Sequence, residues 1–189
     1  MKLETTQVLN GVDTARLRDT INMVKATPKL GRFRFGIENR WMKAGENRSE
    51  VQSFYGCGQT QSHNPGFTLM ADEPDILLGR DTGASPAEHL LHALAACVTT
   101  SMVYHAAARG INVEQVESSL EGDLDLGGFL GLDPLVRNGY RHIRLKLRIK
   151  TDARDERLFE LGSLGPTFSP VYDSLIRGVP VSISAERIP

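Results

Sequence analysis

Apolar and polar residues recur along this chain with different periods, and each period predicts a different element. Between residues 11 and 27, Val12, Leu17, Ile21 and Val24 fall at mostly helical spacing, with Asp13 near the start and Pro28 as a stop. That spacing predicts a short amphipathic helix available for packing or dimer contact. Residues 31–42 and 49–56 alternate apolar with polar positions, and residues 44–47 supply turn chemistry between them. An antiparallel hairpin is expected, with Phe33, Phe35 and Ile37 on one face. A short apolar strand follows around residues 67–70, then a loop rich in Gly, Asp and Thr that ends at Ser85.

Ser85 followed by Pro86 marks a helix start, because the hydroxyl can cap a free amide and proline lacks the N–H that would go unpaired at the first position. Glu88, three residues after Ser85, completes a capping box, and Gly110 ends the segment. Between them nearly every position is apolar or small, over roughly 36 Å at the helical rise. The pattern predicts a helix buried on all sides at the centre of the protein. Residues 113–127 and 139–152 read as strands. In the second, Ile143, Leu145, Leu147 and Ile149 alternate with Arg144, Lys146, Arg148 and Lys150, so one face is expected to be solvated and basic. Residues 153–164 read as a helix, 168–178 as a second helix capped by Ser169 and closed by Gly178, and 179–188 as a closing strand. The order of elements places the chain in the α+β class, with an N-terminal helical extension (1–30) and one domain (31–189).

Charge and composition narrow the function. Lys plus Arg total 22 against 23 Asp plus Glu, a formal net charge of −1, so no overall positive field draws nucleic acid or anionic lipid. Uninterrupted apolar runs stay short of the roughly 18 residues that span a bilayer, and the N-terminus lacks a signal core, so neither membrane nor export is expected. The two cysteines, Cys57 and Cys97, have no paired metal spacing. They point to a reducing, cytoplasmic setting without bound metal or cofactor.

Cys97 has two readings at this stage: a small apolar packing residue, or a nucleophilic thiolate. It lies about three turns into its helix, beyond the reach of the helix dipole, so a thiolate there needs a cation from another segment. Cys57, between Gly56 and Gly58, is expected to be exposed and receives no role. His89 and His92 are three apart, a spacing metals use, but no third ligand follows nearby, which favours a satisfied or solvent-facing pair. His63 sits among turn formers, and residues 81–85 read simply as the loop before the helix.

Pro86, Glu88, Leu90, Ala93, Leu94, Ala95, Ala96 and Cys97, the glycine after the helix, and SPVYDSLIRGVPV from Ser169 onward together resemble the OsmC/Ohr family of osmotically inducible and organic hydroperoxide resistance proteins. The likeness covers roughly residues 31–189. It implies an intertwined homodimer in which long buried central helices are wrapped by antiparallel β-sheets, with sites at the dimer interface. It further implies that Cys97 is a peroxidatic thiolate, held as an anion by Arg48, or alternatively Arg40, from the hairpin. Glu88 would organise that pair, although the family's glutamate aligns nearer Ala87, about 100° away around the helix. Peroxidase members carry a second cysteine where this chain has Ser169, and a hydroxyl cannot condense with a sulfenic acid to form a disulfide. An external thiol reductant, Cys57 as substitute resolver, or loss of turnover would follow.

The implied function is a stress-response, thiol-dependent peroxidase acting on small-molecule organic hydroperoxides. The alternative is a non-catalytic binding protein with an apolar dimer-interface pocket, in which Cys97 is core. A third reading is a partner-binding protein that uses the N-terminal helix.

Overall fold

The computed structural model describes residues 8–188. Residues 1–7 of the expected N-terminal extension lie outside the described residues. The chain forms two compact units that divide within the long helix, one up to His92 and one from Ala93.

In the first unit, β1 (Val8–Leu9) and β2 (Val12–Asp13) form a small antiparallel hairpin. The Asp13 carboxylate then accepts from the N–H groups of Ala15 (3.1 Å) and Arg16 (3.0 Å), which starts α1 (Thr14–Ala26) as the sequence pattern predicts. β3 (Ile37–Lys43) and β4 (Glu46–Val51) make the expected hairpin, but only Ala44 and Gly45 lie between them. Glu46 and Asn47 belong to the strand. The anticipated strand over 49–56 is in fact split. β4 stops at Val51, and β5 (Phe54–Gly56) pairs instead with β6 (Gln59–Gln61). The cause is the turn that follows: Cys57 and Gly58 both have positive φ (51° and 83°), the two-residue geometry whose twist folds a strand straight back on itself. β7 (Thr68–Ala71) adds to β4, giving the order β3–β4–β7. The Phe33 and Phe35 rings stack at 6.0 Å, and Phe54 lies 5.6 Å from Phe35, as a shared face requires.

The loop after β7 is organised by one buried carboxylate. Asp72, 1% exposed, accepts from the N–H groups of Glu73 (2.9 Å), Arg80 (3.2 Å) and Thr82 (3.2 Å) and from the Thr82 hydroxyl (2.8 Å). Four donors on one anion draw residues 73–82 into a closed loop. They also hold the carboxyl below its usual range, the Thr82 hydroxyl contributing most.

The second unit is built on α2 (Pro86–Ala108), whose residues from Ala93 onward belong to it. Leu94, Val98, Met102 and Ala106 form a buried stripe at four-residue spacing. Helix α4 (Asp155–Phe168) supplies Leu161 and Leu164 to the same core. β8 (Gln115–Asp123) and β9 (His142–Lys150) pair along their whole length and add Val116, Leu147 and Ile149. A short α3 (Leu126–Phe129) lies between these strands, in place of the last residues of the strand expected over 113–127. α5 (Pro170–Arg177) follows α4.

Several expectations need correction here. Within a single chain the long helix is covered along one stripe, and Leu90 and Tyr104 are exposed. By length and composition alone α2 is long and apolar enough to cross a membrane, a property that core helices share. α4 continues through Pro166 to Phe168, beyond the expected end at 164. Packing overrides proline's preference: Gly165 lies against α2 so closely that an added Cβ would stand 2.8 Å from the Val98 carbonyl oxygen. Residues 179–188 form no strand despite their alternation, because a strand requires a hydrogen-bonded neighbour and Val181 (77%) and Ile183 (91%) stand exposed. The outward face of β9 is solvated and basic as expected, and much of its charge is paired. Arg144 pairs with Glu121 and Asp123 and Arg148 with Glu117 of β8, and Lys150 pairs with Glu114 just before that strand, so acids partly offset the basic face.

Two outcomes test these contacts. Gly165→Ala forces α4 off α2 and is expected to cost about 1–3 kcal/mol in denaturant unfolding. Asp72 stabilises the fold above the ordinary aspartate pKa of about 3.9 and loses that contribution as pH falls further. Asp72→Asn should therefore lower the melting temperature at neutral pH and shrink the stability difference between pH 7 and pH 3.

Candidate functional site

Cys97 sits at the middle of α2, half-buried and with a free thiol. It adjoins the core stripe without belonging to it, since the fully covered neighbour is Val98. Cys57 is also free and exposed at the tip of the β5–β6 turn. Among the described residues no group of His, Cys, Asp and Glu could hold a metal ion.

The first turn of α2 is the capping box that the sequence predicts. The Ser85 N–H donates to the Glu88 carboxylate at 2.8 Å and its hydroxyl donates to the same oxygen at 2.9 Å, while the Glu88 N–H donates back to the Ser85 oxygen at 3.2 Å. These two Ser85 donors, the backbone one foremost, hold the Glu88 carboxyl below its usual range. Glu88 is thus an ionised group already spent on the helix start.

Arg40 and Arg48 occupy one rung of the β3–β4 ladder, directly opposite each other, so their side chains leave the same face of the sheet. The two arginines expected as alternatives from the sequence are thus cross-strand neighbours. Arg48 is tied to Glu50 at 2.8 Å, and Glu50 also accepts from the Thr68 hydroxyl at 3.0 Å. Both contacts hold the Glu50 carboxyl below its usual range, Thr68 first. Two guanidinium groups on one rung repel, and a single glutamate answers only one of them.

Ser169 is 1% exposed and fully engaged. Its hydroxyl oxygen accepts from the Tyr172 N–H at 3.1 Å, its N–H donates to the Gly165 carbonyl at 3.0 Å, and its carbonyl accepts from Asp173 at 3.0 Å. It is the N-cap of α5, as predicted, which gives a serine here a structural reason independent of redox chemistry.

Of the histidines singled out in the sequence, His92 is exposed, and His89 and His63 take structural places. A ring nitrogen of His89 lies 2.8 Å from the Met70 carbonyl oxygen, and the His63 ring packs between Phe54 (5.2 Å) and Phe67 (5.0 Å). One cluster escaped the sequence reading: Ser101, His105 and Arg109 follow Cys97 at four-residue intervals, and Phe168 lies over them. The i, i+4 repeat was visible; the partner that makes it a cluster comes from α4.

These features define a mixed helix-and-sheet protein whose long helix displays a free, half-covered thiol and whose N-terminal hairpin displays paired arginines. The sequence profile described as "OsmC-like protein" matches residues 79–184, more than half of the chain, and the chain belongs to the OsmC-like family. An OsmC-like protein from Mycoplasma pneumoniae is similar at 17% identity and a TM-score of 0.58, over 76% of this chain and 87% of that one. An OsmC-like protein of unknown function from Vibrio cholerae is similar at 13% identity and a TM-score of 0.53, over 75% and 92%. A protein from Legionella pneumophila described as an organic hydroperoxide resistance protein is similar at 15% identity and a TM-score of 0.51, over 75% and 88%. At such identities the likeness concerns the fold. No curated protein matches the sequence.

Replacing the cap tests the structural account of Ser169. Ser169→Ala should cost roughly 1 kcal/mol of unfolding free energy and fray α5, read by amide exchange at Tyr172.

Proposed function

We propose that this chain is a thiol-dependent peroxidase acting on organic hydroperoxides, with Cys97 as nucleophile and an external thiol as reductant. The carrying observation is the placement of Cys97: free, half-covered and mid-helix in an OsmC-like chain. The Legionella pneumophila likeness supports the choice of substrate. In the proposed cycle the Cys97 thiolate attacks one peroxide oxygen and the O–O bond breaks. The alkoxide leaves and takes a proton to become the alcohol, and Cys97 becomes a sulfenic acid. An external thiol displaces water to give a mixed disulfide, and a second thiol releases Cys97 reduced. The capping role of Ser169 supports an external rather than an internal resolver.

The proposed cations are Arg48 and Arg40, whose unbalanced rung favours an approaching anion. Glu88 is the proposed carboxylate partner once it exchanges Ser85 for a guanidinium. The working form is proposed to be an intertwined homodimer in the cytoplasm. Exposed Val181, Ile183, Phe35 and Trp41 support a second copy, since apolar patches of this extent are normally covered.

A second reading is a binding protein of the same architecture, with an apolar dimer-interface pocket and no turnover. The engagement of Glu88 with Ser85 and of Arg48 with Glu50 favours it.

The test uses the full chain as Cys57→Ser. Treatment with tert-butyl hydroperoxide followed by dimedone should label Cys97, and Cys97→Ser should abolish both label and alcohol production. Arg40→Met with Arg48→Met should slow Cys97 oxidation about tenfold or more, the effect of raising a thiol pKa by one unit near neutral pH. A thiol that stays unlabelled, in a protein that retains an apolar small molecule in native mass spectrometry, would establish the second reading instead.

A further inference from the structure

The α2 row that begins at Cys97 and runs through Ser101, His105 and Arg109 meets the last turn of α4. The Ser101 hydroxyl donates to the Phe168 carbonyl at 3.4 Å. The His105 ring lies flat on the Phe168 ring, centroids 3.6 Å apart and planes 12° from parallel. Arg109 donates to His105 Nδ1 at 3.2 Å and to the His105 carbonyl at 3.0 Å, and its guanidinium stands 5.6 Å from the Phe168 ring centre. From α4, Glu160 reaches the same guanidinium at 3.8 Å.

The chemistry of this cluster sets the state of the ring. Arginine has no acceptor, so Nδ1 must accept, and a nitrogen that accepts carries no proton. His105 is therefore the neutral Nε2–H tautomer. Burial first, and the Arg109 charge second, hold its pKa below the usual histidine value. The charged groups facing it are Arg109 on its own helix and, through Arg109, Glu160 on α4; Asp173 and Arg177 of α5 pair with each other at 3.1 Å.

We infer that His105 is a positioning residue for Cys97: while neutral it clamps the Phe168–Ser169 junction onto the α2 row below the thiol, and protonation releases that junction. Phe168 precedes the residue that caps α5, and its carbonyl is held by Ser101, one turn along α2 from Cys97, so the ring stack fixes where α5 begins relative to that row. Charging His105 would oppose two N–H donors and two positive charges at 3.2 Å. The folded state binds the proton less tightly than the unfolded chain. The clamp's contribution is thus complete above about pH 6.5 and declines as pH falls through that value. The positioning role rests on the reading of Cys97 as the reactive group; the clamp does not.

Hydrogen exchange separates the two. In Cys57→Ser, amide protection at Ser169, Tyr172 and Asp173, corrected for intrinsic exchange, should be partly lost between pH 7.5 and pH 5. His105→Phe keeps the stack without a titrating nitrogen and should show level protection over that range. His105→Gln, which restores an uncharged acceptor, should do the same and serves if His105→Phe does not fold. An equal pH response in wild type and variants, or none in wild type, overturns the clamp. Alkylation of Cys97 by a neutral reagent, compared at equal thiolate fraction, should step with the protection. A step in protection without one in alkylation overturns the positioning role. Alkylation requires a thiol but no peroxide chemistry, so it reads out even where peroxidase activity is absent.

Discussion

The second unit depends on how closely α4 can approach α2. Val98 presents its carbonyl and methyl groups to Gly165, and any larger residue at 165 would separate the two helices. With the helices in contact, Met102 and Leu161 become fully buried and meet the apolar face of β8 and β9. The same approach brings Phe168 onto His105 and leaves Ser169 buried as the cap of α5. A missing side chain thereby determines the surroundings of the α2 row that contains the cysteine.

Four of the polar groups considered for the site or its surroundings already have local partners. Glu88 serves the helix start, Arg48 serves Glu50, Asp72 serves its loop and Ser169 serves α5. In the proposed reading, thiol chemistry is therefore a matter of exchange, because Arg48 and Glu88 already have partners of their own. The Arg40–Arg48 rung is suited to such exchange, because one glutamate cannot neutralise two opposed cations. Cys97 itself is free and half-covered, which leaves its thiol reachable from solvent.

The cross-strand charges on β8 and β9 show how misleading one strand can be when read alone. β9 is basic on its outer face, yet its neighbour places acids opposite Arg144 and Arg148, and exposed pairs of this kind contribute little to stability. Their effect is to remove a potential attraction for anions. The apolar surface is the opposite case. Tyr104 on α2 and Val181 and Ile183 near the C-terminus find no cover in a single chain, and their exposure is what supports the proposal of a second copy.

Local chemistry made much of this protein readable in its residues. Asp13 and Ser169 as caps, the Ser85–Glu88 box, the alternation of β9 and the family pattern around Cys97 all act within a few positions, and the structure contains each of them. Tertiary contact decided the rest. The split of the strand at Val51 follows from a turn that redirects pairing, α4 runs through Pro166 because Gly165 packs on Val98, and His105 acquires a role only when Phe168 arrives from 63 positions away. Residues 179–188 carry a strand's pattern without forming one, since a hydrogen-bonded ladder needs a neighbour and no sequence contains its own neighbour in space.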